Sequence, residues 1–189
     1  MADIIRIDAY HGTARAKKDS ILRTKKIFKS SKDNEWAGTG IYYLVDEDEK
    51  ELIDKCTRWA LNVKKYKTAA VVKNLIEIDK DYILDLTIYE AQNKFHEYRQ
   101  FLFDKARQCA KKRNKIINDT YTNGMKLDCL TINRLCSEYK LDMVKRKTYI
   151  NFYKPIEEWK DYPSSGIPNA TIISLRNEEH IKDWSGYDV

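Results

Sequence analysis

Apolar and polar positions follow two periods along the chain. Strand-like patterns are found in Ile4–Tyr10, Gly40–Val45, Ala69–Ile78, Tyr82–Leu86, Met143–Tyr153 and Ala170–Leu175. Helical spacing is found in Ala14–Phe28, in Asp48–Lys64, from Ile88 to about Asn118, and in Cys129–Tyr139. Ala170–Leu175 is predicted as the last strand, and a short amphipathic tail follows it and ends at Val189. Strand-rich ends around a helical middle predict an α+β fold with a mainly antiparallel sheet.

Polar and glycine- or proline-containing segments separate these elements. Asp79-Lys80-Asp81 is interpreted as a turn that joins two strands, and Thr120–Lys126 as a turn around Gly124. Lys29–Glu35 and Pro155–Pro168 are predicted loops. The chain of 189 residues contains no repeat and no low-complexity linker. It is expected to form one domain, residues 1–189, with a helical insertion at about 88–140.

Composition adds only weak constraints. The 35 Lys and Arg residues exceed the 29 Asp and Glu residues, a surplus compatible with an acidic or nucleic-acid partner. The basic run Lys111–Lys115 is interpreted as a solvated helix end that suits the C-terminal dipole. Apolar runs fall short of the ~18 residues that span a membrane, and the N-terminus does not resemble a signal peptide. A cytoplasmic protein with no membrane partner is therefore expected.

The four cysteines are Cys56, Cys109, Cys129 and Cys136. They form no Cys-x-x-Cys pair and have no histidine nearby in the sequence. We interpret them as reduced structural thiols and predict no metal site.

Two short motifs carry the chemical information. Gly38 and Gly40 run directly into the apolar segment Ile41–Leu44, and Tyr10-His11-Gly12-Thr13 closes an earlier strand-like run. Glycine allows backbone angles and close ligand approach that other residues do not. A Gly-x-Gly alone is adequately explained as a turn into a core strand. The two motifs together are more specific.

Together these motifs resemble the NAD-dependent ADP-ribosyltransferases of the diphtheria-toxin and poly(ADP-ribose)-polymerase branch, and small bacterial and phage members most closely. In that family, His-Gly-Thr and Gly-x-Gly-Ile-Tyr are the first two parts of a His–Tyr–Glu signature. The matching motifs cover roughly residues 8–60, and a helix carrying Trp59-Ala60 follows them. The resemblance implies an ADP-ribosyltransferase-like split antiparallel sheet core and NAD as co-substrate.

The resemblance also implies residue roles. His11 would bind the adenosine ribose of NAD, and the backbone of Gly12, beside Thr13, would bind the nicotinamide carboxamide. Gly40 would allow close approach of the cofactor. Tyr42 would stack on the nicotinamide ring, while Tyr43 would point to the opposite face of its strand, towards the core. Trp59 is the candidate for a second aromatic wall, with plain core packing as the alternative.

The third part of the signature is absent. Counting back from Asn177-Glu178-Glu179-His180-Ile181, the place of the catalytic glutamate is held by Ile172, with Thr171 beside it. Family members with an apolar residue there are either mono-ADP-ribosyltransferases, assisted by an acidic group of the substrate, or inactive. Glu178 and Glu179 are weaker candidates to replace the carboxylate. If Ile172 belongs to the core, Thr171 would face the cleft instead.

The resulting hypothesis is a mono-ADP-ribosyltransferase that modifies a protein or nucleic-acid acceptor, as a toxin or phage–host conflict protein with an antitoxin or inhibitor as a further partner. A catalytically silent member that binds NAD or a partner is the alternative. A plain nucleic-acid-binding module is the third, although it leaves both motifs unexplained. Arg23, Lys25 and Lys26 are either a solvated face or contacts to the NAD pyrophosphate or the target.

Overall fold

The computed structural model describes residues 2–152 and 165–189, which form a seven-stranded sheet with helices packed on it. The strands are β1 (Ile4–Ala14), β2 (Ile41–Val45), β3 (Ala69–Asp79), β4 (Ile83–Asp85), β5 (Met143–Thr148), β6 (Ala170–Leu175) and β7 (Ile181–Asp188). Their order across the sheet is β4-β5-β6-β2-β1-β3-β7. Neighbouring strands are antiparallel except β4 and β5, which are parallel, so the sheet is mixed. The α+β class is confirmed.

The helices are α1 (Arg15–Thr24), α2 (Glu49–Arg58), α3 (Tyr89–Lys112), α4 (Asp119–Thr122) and α5 (Gly124–Tyr139). Helix α1 ends earlier than predicted because Lys25 adopts the left-handed conformation, with φ of 50°. Helix α5 begins earlier because the Asn123 side chain accepts a hydrogen bond from the Lys126 N–H and caps the first turn. Part of the predicted Thr120–Lys126 turn is therefore helical. None of the helices in the described ranges is both long and apolar enough to cross a membrane.

The sheet is strongly curved. Strands β3 and β4 do not form a hairpin, since β4 lies at one edge of the sheet and β3 lies five positions away in the strand order. In a flat sheet that separation would be about 24 Å. The short turn Lys80–Tyr82 connects the two strands, and a link of this length spans at most about 14 Å. The sheet must therefore curl so that the start of β4 lies near the end of β3.

The sheet is split between β1 and β2. Strand β1 pairs with β3 along its whole length, from Ile4↔Asp79 to Ala14↔Ala69. By contrast, the described pairing between β1 and β2 consists of Tyr10↔Leu44 alone. The sheet thus has two halves, β4-β5-β6-β2 and β1-β3-β7, joined at one register position. On both sides of that position the backbones of β1 and β2 separate.

Each face of the sheet carries its own apolar cluster. Tyr10, Leu44 and Ile172 belong to the first cluster, which also includes residues of α2 and α5. Their chain neighbours Ala9, Tyr43 and Ile173 belong to the second, which includes Ile27 after α1. This is the alternation of side chains expected along a strand. The alternation determines from which face of the sheet each strand side chain approaches the split.

The helix predicted from the apolar spacing after Ile88 is confirmed as α3, in which Phe95 is buried and Tyr89 is 71% exposed. The prediction for the end of the chain is wrong, because no strand was predicted there. The predicted amphipathic tail is the edge strand β7, which pairs with β3 from Ala70↔Asp188 to Ile76↔Ile181. The predicted loop Pro155–Pro168 lies mostly outside the described residues, as does the end of the predicted strand Met143–Tyr153.

Candidate functional site

A cavity of about 790 Å³ occupies the gap between β1 and β2 on one side of the Tyr10↔Leu44 pair. We call it the split cavity. It is lined by every residue predicted to form the site, namely His11, Gly12, Thr13, Gly40, Tyr42, Trp59 and Ile172. These residues come from β1, from the glycine segment and β2, from the end of α2, and from β6. The structure therefore brings together positions up to 161 residues apart in the chain.

His11 bridges the split. Its Nδ1 atom lies 2.9 Å from the carbonyl oxygen of Tyr42, a group that β1 no longer reaches through its backbone. A carbonyl can only accept, so Nδ1 carries the proton in the neutral ring and Nε2 is left as an acceptor. Burial lowers the pKa of His11; the bond to Tyr42 opposes the shift, and the charges of Lys64 and Lys17 add to it. The imidazole is therefore held neutral, ready to accept a hydrogen bond.

Tyr42 has a structural hydroxyl and a ring on the cavity wall. The hydroxyl accepts from the Ala37 N–H at 2.8 Å and donates to the Gly38 carbonyl at 2.7 Å. It thereby closes the loop in which Gly38 takes a φ of 70°. Burial raises the pKa of Tyr42, which keeps the hydroxyl protonated. The aromatic ring remains available to stack on a ligand.

Tyr43 points to the other face of β2, as predicted, and is only 2% exposed. Its ring also lines the split cavity and lies edge-on to His11, with 5.9 Å between ring centroids. Strand alternation places His11 on the same face as Tyr43, whereas Tyr42 leaves from the opposite face. His11 and Tyr42 reach the same cavity because the sheet is open between them.

Close packing accounts for two of the glycines. A methyl group added to Gly12 would lie 2.3 Å from the backbone oxygen of Cys56 in α2. One added to Gly40 would lie 2.2 Å from Ser174 Oγ and 2.9 Å from the oxygen of Leu175. Real Cβ atoms do not approach other atoms so closely, so both positions require glycine whether or not a ligand binds. The predicted contact of the Gly12 backbone with a carboxamide would be an additional role.

Two tryptophans form an aromatic wall. Helix α2 continues into a π-helical turn, Trp59–Val63, a distortion frequent at functional sites. Trp59 packs against Trp36 with ring centroids 5.6 Å apart, and both line the split cavity. Lys64 Nζ lies 5.2 Å from the centre of the Trp59 ring, at cation–π distance. The wall thus combines flat apolar surface with a positive charge.

Ile172 is 3% exposed, so it belongs to the first core cluster as well as to the cavity wall. It lies opposite Leu44 on β2 and Arg146 on β5. The Arg146 guanidinium donates to the backbone oxygen of Trp36, on the same side of the sheet. Thr171 faces the opposite side, by strand alternation. The position predicted for the missing glutamate therefore does reach the cavity.

Glu35 is a lining residue that the sequence did not single out. Among the described residues it is the only carboxylate on the wall of the split cavity, and the Ser30 hydroxyl donates a hydrogen bond to it. Its charge helps to raise the pKa of Tyr42, although burial is the larger cause. Glu178 and Glu179 do not line the cavity. The sequence did not indicate Glu35 because it lies in a predicted loop. It reaches the cavity wall only when the following glycine segment folds back.

The charge of the split cavity is strongly positive. Among the residues that the structure describes, five lysines and one carboxylate, that of Glu35, line it; the lysines are Lys17, Lys26, Lys29, Lys32 and Lys64. Within residues 2–152 and 165–189, these lysines form no ion pair with a carboxylate. Lys17 instead lies 5.4 Å from the ring centre of Tyr66. Unpaired cations beside aromatic walls suit an anionic ligand with flat rings.

A second, smaller cavity of about 300 Å³ lies on the other side of the Tyr10↔Leu44 pair. We call it the acidic opening. Its charged lining residues are Arg6, Asp8, Asp46, Glu47, Glu49 and Lys73. Lys73 is paired with Asp8 at 3.0 Å and lies 3.4 Å from Glu49. Glu49 also accepts hydrogen bonds from the hydroxyls of Tyr10 and Tyr187.

Comparison with known proteins leaves the family open. No family model and no solved structure matches the chain. It is 26% identical over 134 residues to the uncharacterized protein MJ0359 of Methanocaldococcus jannaschii. The match covers 65% of this chain and 60% of that relative's length, so the chain spans less than two thirds of the relative it matches.

Proposed function

We propose that the protein is a mono-ADP-ribosyltransferase, which transfers ADP-ribose from NAD to a macromolecular acceptor. One observation carries the proposal: the residues of the Tyr10–Thr13 motif, the Gly38–Tyr42 motif and β6 line the same basic, aromatic cavity. The split between β1 and β2 also supports it, since the resemblance implies a split sheet. As a working context we retain a toxin or phage–host conflict protein, with an antitoxin or inhibitor as its partner.

The cavity offers complementary groups for three parts of NAD: the nicotinamide ring, a ribose hydroxyl and the pyrophosphate. Tyr42 and Trp59 supply aromatic faces for the nicotinamide ring. His11 supplies an unprotonated Nε2 for a ribose hydroxyl, because its Nδ1 proton is used by the Tyr42 carbonyl. Lys17 and Lys64 supply positive charge for the pyrophosphate.

The reaction breaks the bond between C1′ of the ribose and the nicotinamide nitrogen. Nicotinamide leaves as a neutral molecule with the bonding electron pair, and positive charge develops on the ribose as in glycoside cleavage. Electrostatic stabilisation of such a charge is typically worth about 3–4 kcal/mol. Ile172 supplies none. Glu35 is the carboxylate available on the wall, and an anionic acceptor would add to its effect.

A second candidate function is a catalytically silent NAD-binding protein. The burial of Ile172 favours it, because a well-packed isoleucine lies at the position that the resemblance assigns to the catalytic glutamate. In that case the cavity would bind NAD, and nicotinamide would not be released.

The deciding experiment uses NAD labelled in the adenylate phosphate. The protein is incubated with this NAD and a cell lysate, nicotinamide release is measured, and label is followed into protein and nucleic-acid fractions. We expect release with label in one fraction. Tyr42→Ala should abolish both signals, and Phe101→Ala, on the exposed face of α3, should change neither. Bound NAD with neither release nor label would support the silent protein, and absence of NAD binding would contradict both candidates.

A further inference from the structure

Phe28 is 87% exposed at the lip of the split cavity. It is not part of a loose end. The preceding residue, Ile27, is 3% exposed and packs into the second core cluster. Two residues after Phe28, Ser30 exchanges backbone hydrogen bonds of 2.8 and 3.0 Å with Gly40. The segment is anchored on both sides, so the Phe28 ring is held out towards solvent.

Unpaired lysines line the same cavity as this ring. Lys26, Lys29 and Lys32 line the cavity beside Phe28, and no described carboxylate forms an ion pair with any of them. The two local acidic groups already have other partners. Asp33 is paired with Lys126 at 3.1 Å, and Glu35 is bound by Ser30. We call Lys26, Phe28, Lys29 and Lys32, together with the half-exposed Met125 that lines the same cavity, the Phe28 lip.

We propose that the Phe28 lip is the acceptor site and that the acceptor is a single-stranded nucleic acid. An exposed aromatic ring among lysines is the arrangement on which unpaired bases stack while their phosphates meet the cations. A duplex hides the faces of its bases. An acidic peptide would neutralise the lysines but would offer Phe28 no comparable flat partner. This inference rests on the proposed function, because the donor would bind deeper in the same cavity.

The transfer step balances with a nucleobase as acceptor. The C1′–N bond to nicotinamide breaks, and nicotinamide leaves neutral with the electron pair. A lone pair of a base amino nitrogen forms the new bond to C1′. The proton that this nitrogen then loses passes to Glu35, the carboxylate on the cavity wall, and from there to water. The negative phosphates near the lip would also favour the developing positive charge on the ribose.

The test measures fluorescence anisotropy of labelled 12-nucleotide single strands, one DNA and one RNA, with a duplex and an acidic peptide as competitors. We expect Phe28→Ala to weaken strand binding roughly 5- to 100-fold, the usual effect of one lost stacking contact. Phe28→Tyr should retain binding. The matched control is Phe101→Ala, which removes another exposed phenylalanine, on α3 and outside the cavity. Lys29→Ala should reduce the slope of the logarithm of the binding constant against the logarithm of salt concentration by about 0.7, the contribution of one phosphate contact.

The outcomes distinguish a failure of this inference from a failure of the proposed transferase function. Equal strand binding by Phe28→Ala and Phe101→Ala, or preference for the acidic peptide, would overturn the nucleic-acid acceptor. NAD is titrated in parallel, and Phe28→Ala should bind it normally while failing to label the oligonucleotide. If the wild type binds strands through Phe28 but does not bind NAD, the lip stands as a nucleic-acid surface and the transferase proposal fails. The DNA and RNA arms identify which strand is the substrate.

Discussion

Two openings flank the single register pair between β1 and β2, and their cations have different surroundings. In the acidic opening, Lys73 is held between Asp8 and Glu49. In the split cavity, the lysines face solvent and aromatic rings with no described carboxylate paired to them. The same strands thus carry a neutralised network at one end and an uncompensated positive charge at the other. The neutralised network has little charge left for a ligand, whereas the uncompensated lysines attract anions, as the proposed NAD site requires.

The largest expected effect separates the two tyrosines of β2. Tyr43→Ala removes a nearly fully buried ring, so we expect a loss of about 3–5 kcal/mol in the free energy of unfolding. Tyr42→Ala should cost less stability, but should weaken NAD binding much more. Chemical denaturation and calorimetric titration of both variants check this. A stronger loss of NAD binding in Tyr43→Ala would mean that the His11 face, and not the Tyr42 face, holds the nicotinamide.

The second prediction concerns the missing carboxylate of the split cavity. Ile172→Glu places a carboxylate on the cavity wall, opposite Arg146 in register, which can offset its charge. We expect NAD hydrolysis without acceptor to rise by a factor of hundreds, corresponding to about 3–4 kcal/mol of transition-state stabilisation. Nicotinamide release is the measurement. Thr171→Glu, on the opposite face, is the control and should show no gain. A folded Ile172→Glu protein without increased hydrolysis would contradict the placement of β6 in the site.

The third prediction concerns the contact of β1 with α2 at the cavity wall. Gly12→Ala forces a methyl group against the Cys56 carbonyl, so we expect a loss of about 1–3 kcal/mol in stability. Gly166→Ala is the control, because a methyl group there meets no atom within 4 Å. Thermal melts compare the two. Equal melting temperatures would show that α2 can move away from β1, and that Gly12 owes its place to a ligand instead.

The smallest expected effect is a difference in pH dependence. Because burial lowers the pKa of His11, the unfolded chain binds more protons below about pH 6.5, and stability falls as pH drops from there towards the folded pKa. Hydrogen bonds from Tyr187, then from Tyr10 and Lys73, lower the pKa of Glu49, so its contribution is lost only at more acidic pH. Denaturation of His11→Gln and Glu49→Gln across pH 3–8 should flatten the stability profile in these two separate windows. If both variants flattened the stability profile in the same pH window, the assignment of the two windows to His11 and Glu49 would be contradicted.

Local patterns predicted much of the fold. Strand β6 has the predicted bounds, Ala170–Leu175, because an uninterrupted apolar run marks a buried strand. Strand β7 was missed because it lies at a sheet edge and buries little, so Lys182 and Asp183 obscure its alternation. The parallel pairing of β4 with β5 was also missed. It depends on contacts between segments about 60 residues apart, which no local pattern encodes.

The motifs identified the residues of one cavity, but not how they meet. His11 and Tyr42 were expected to share a cleft, yet the bond from Nδ1 to the Tyr42 carbonyl exists only because β1 and β2 separate there. Glu35 and Lys64 could not be singled out, since a glutamate in a polar loop and a lysine after a helix have no signature of their own. Their place in the cavity comes from the fold.

The central claim is that the split cavity, and not the acidic opening, binds NAD. Calorimetric titration of NAD into Lys64→Glu and Lys73→Glu tests it most directly. Each variant reverses the charge of one lysine, Lys64 in the split cavity and Lys73 in the acidic opening. We expect Lys64→Glu to bind NAD about 10- to 100-fold more weakly. Its loss of stability should not exceed about 1 kcal/mol, the usual value of an exposed cation–π contact such as that of Lys64 with Trp59. Lys73→Glu should bind like the wild type while unfolding more readily. Equal NAD affinity in the two variants, or no binding by the wild type, would contradict the account.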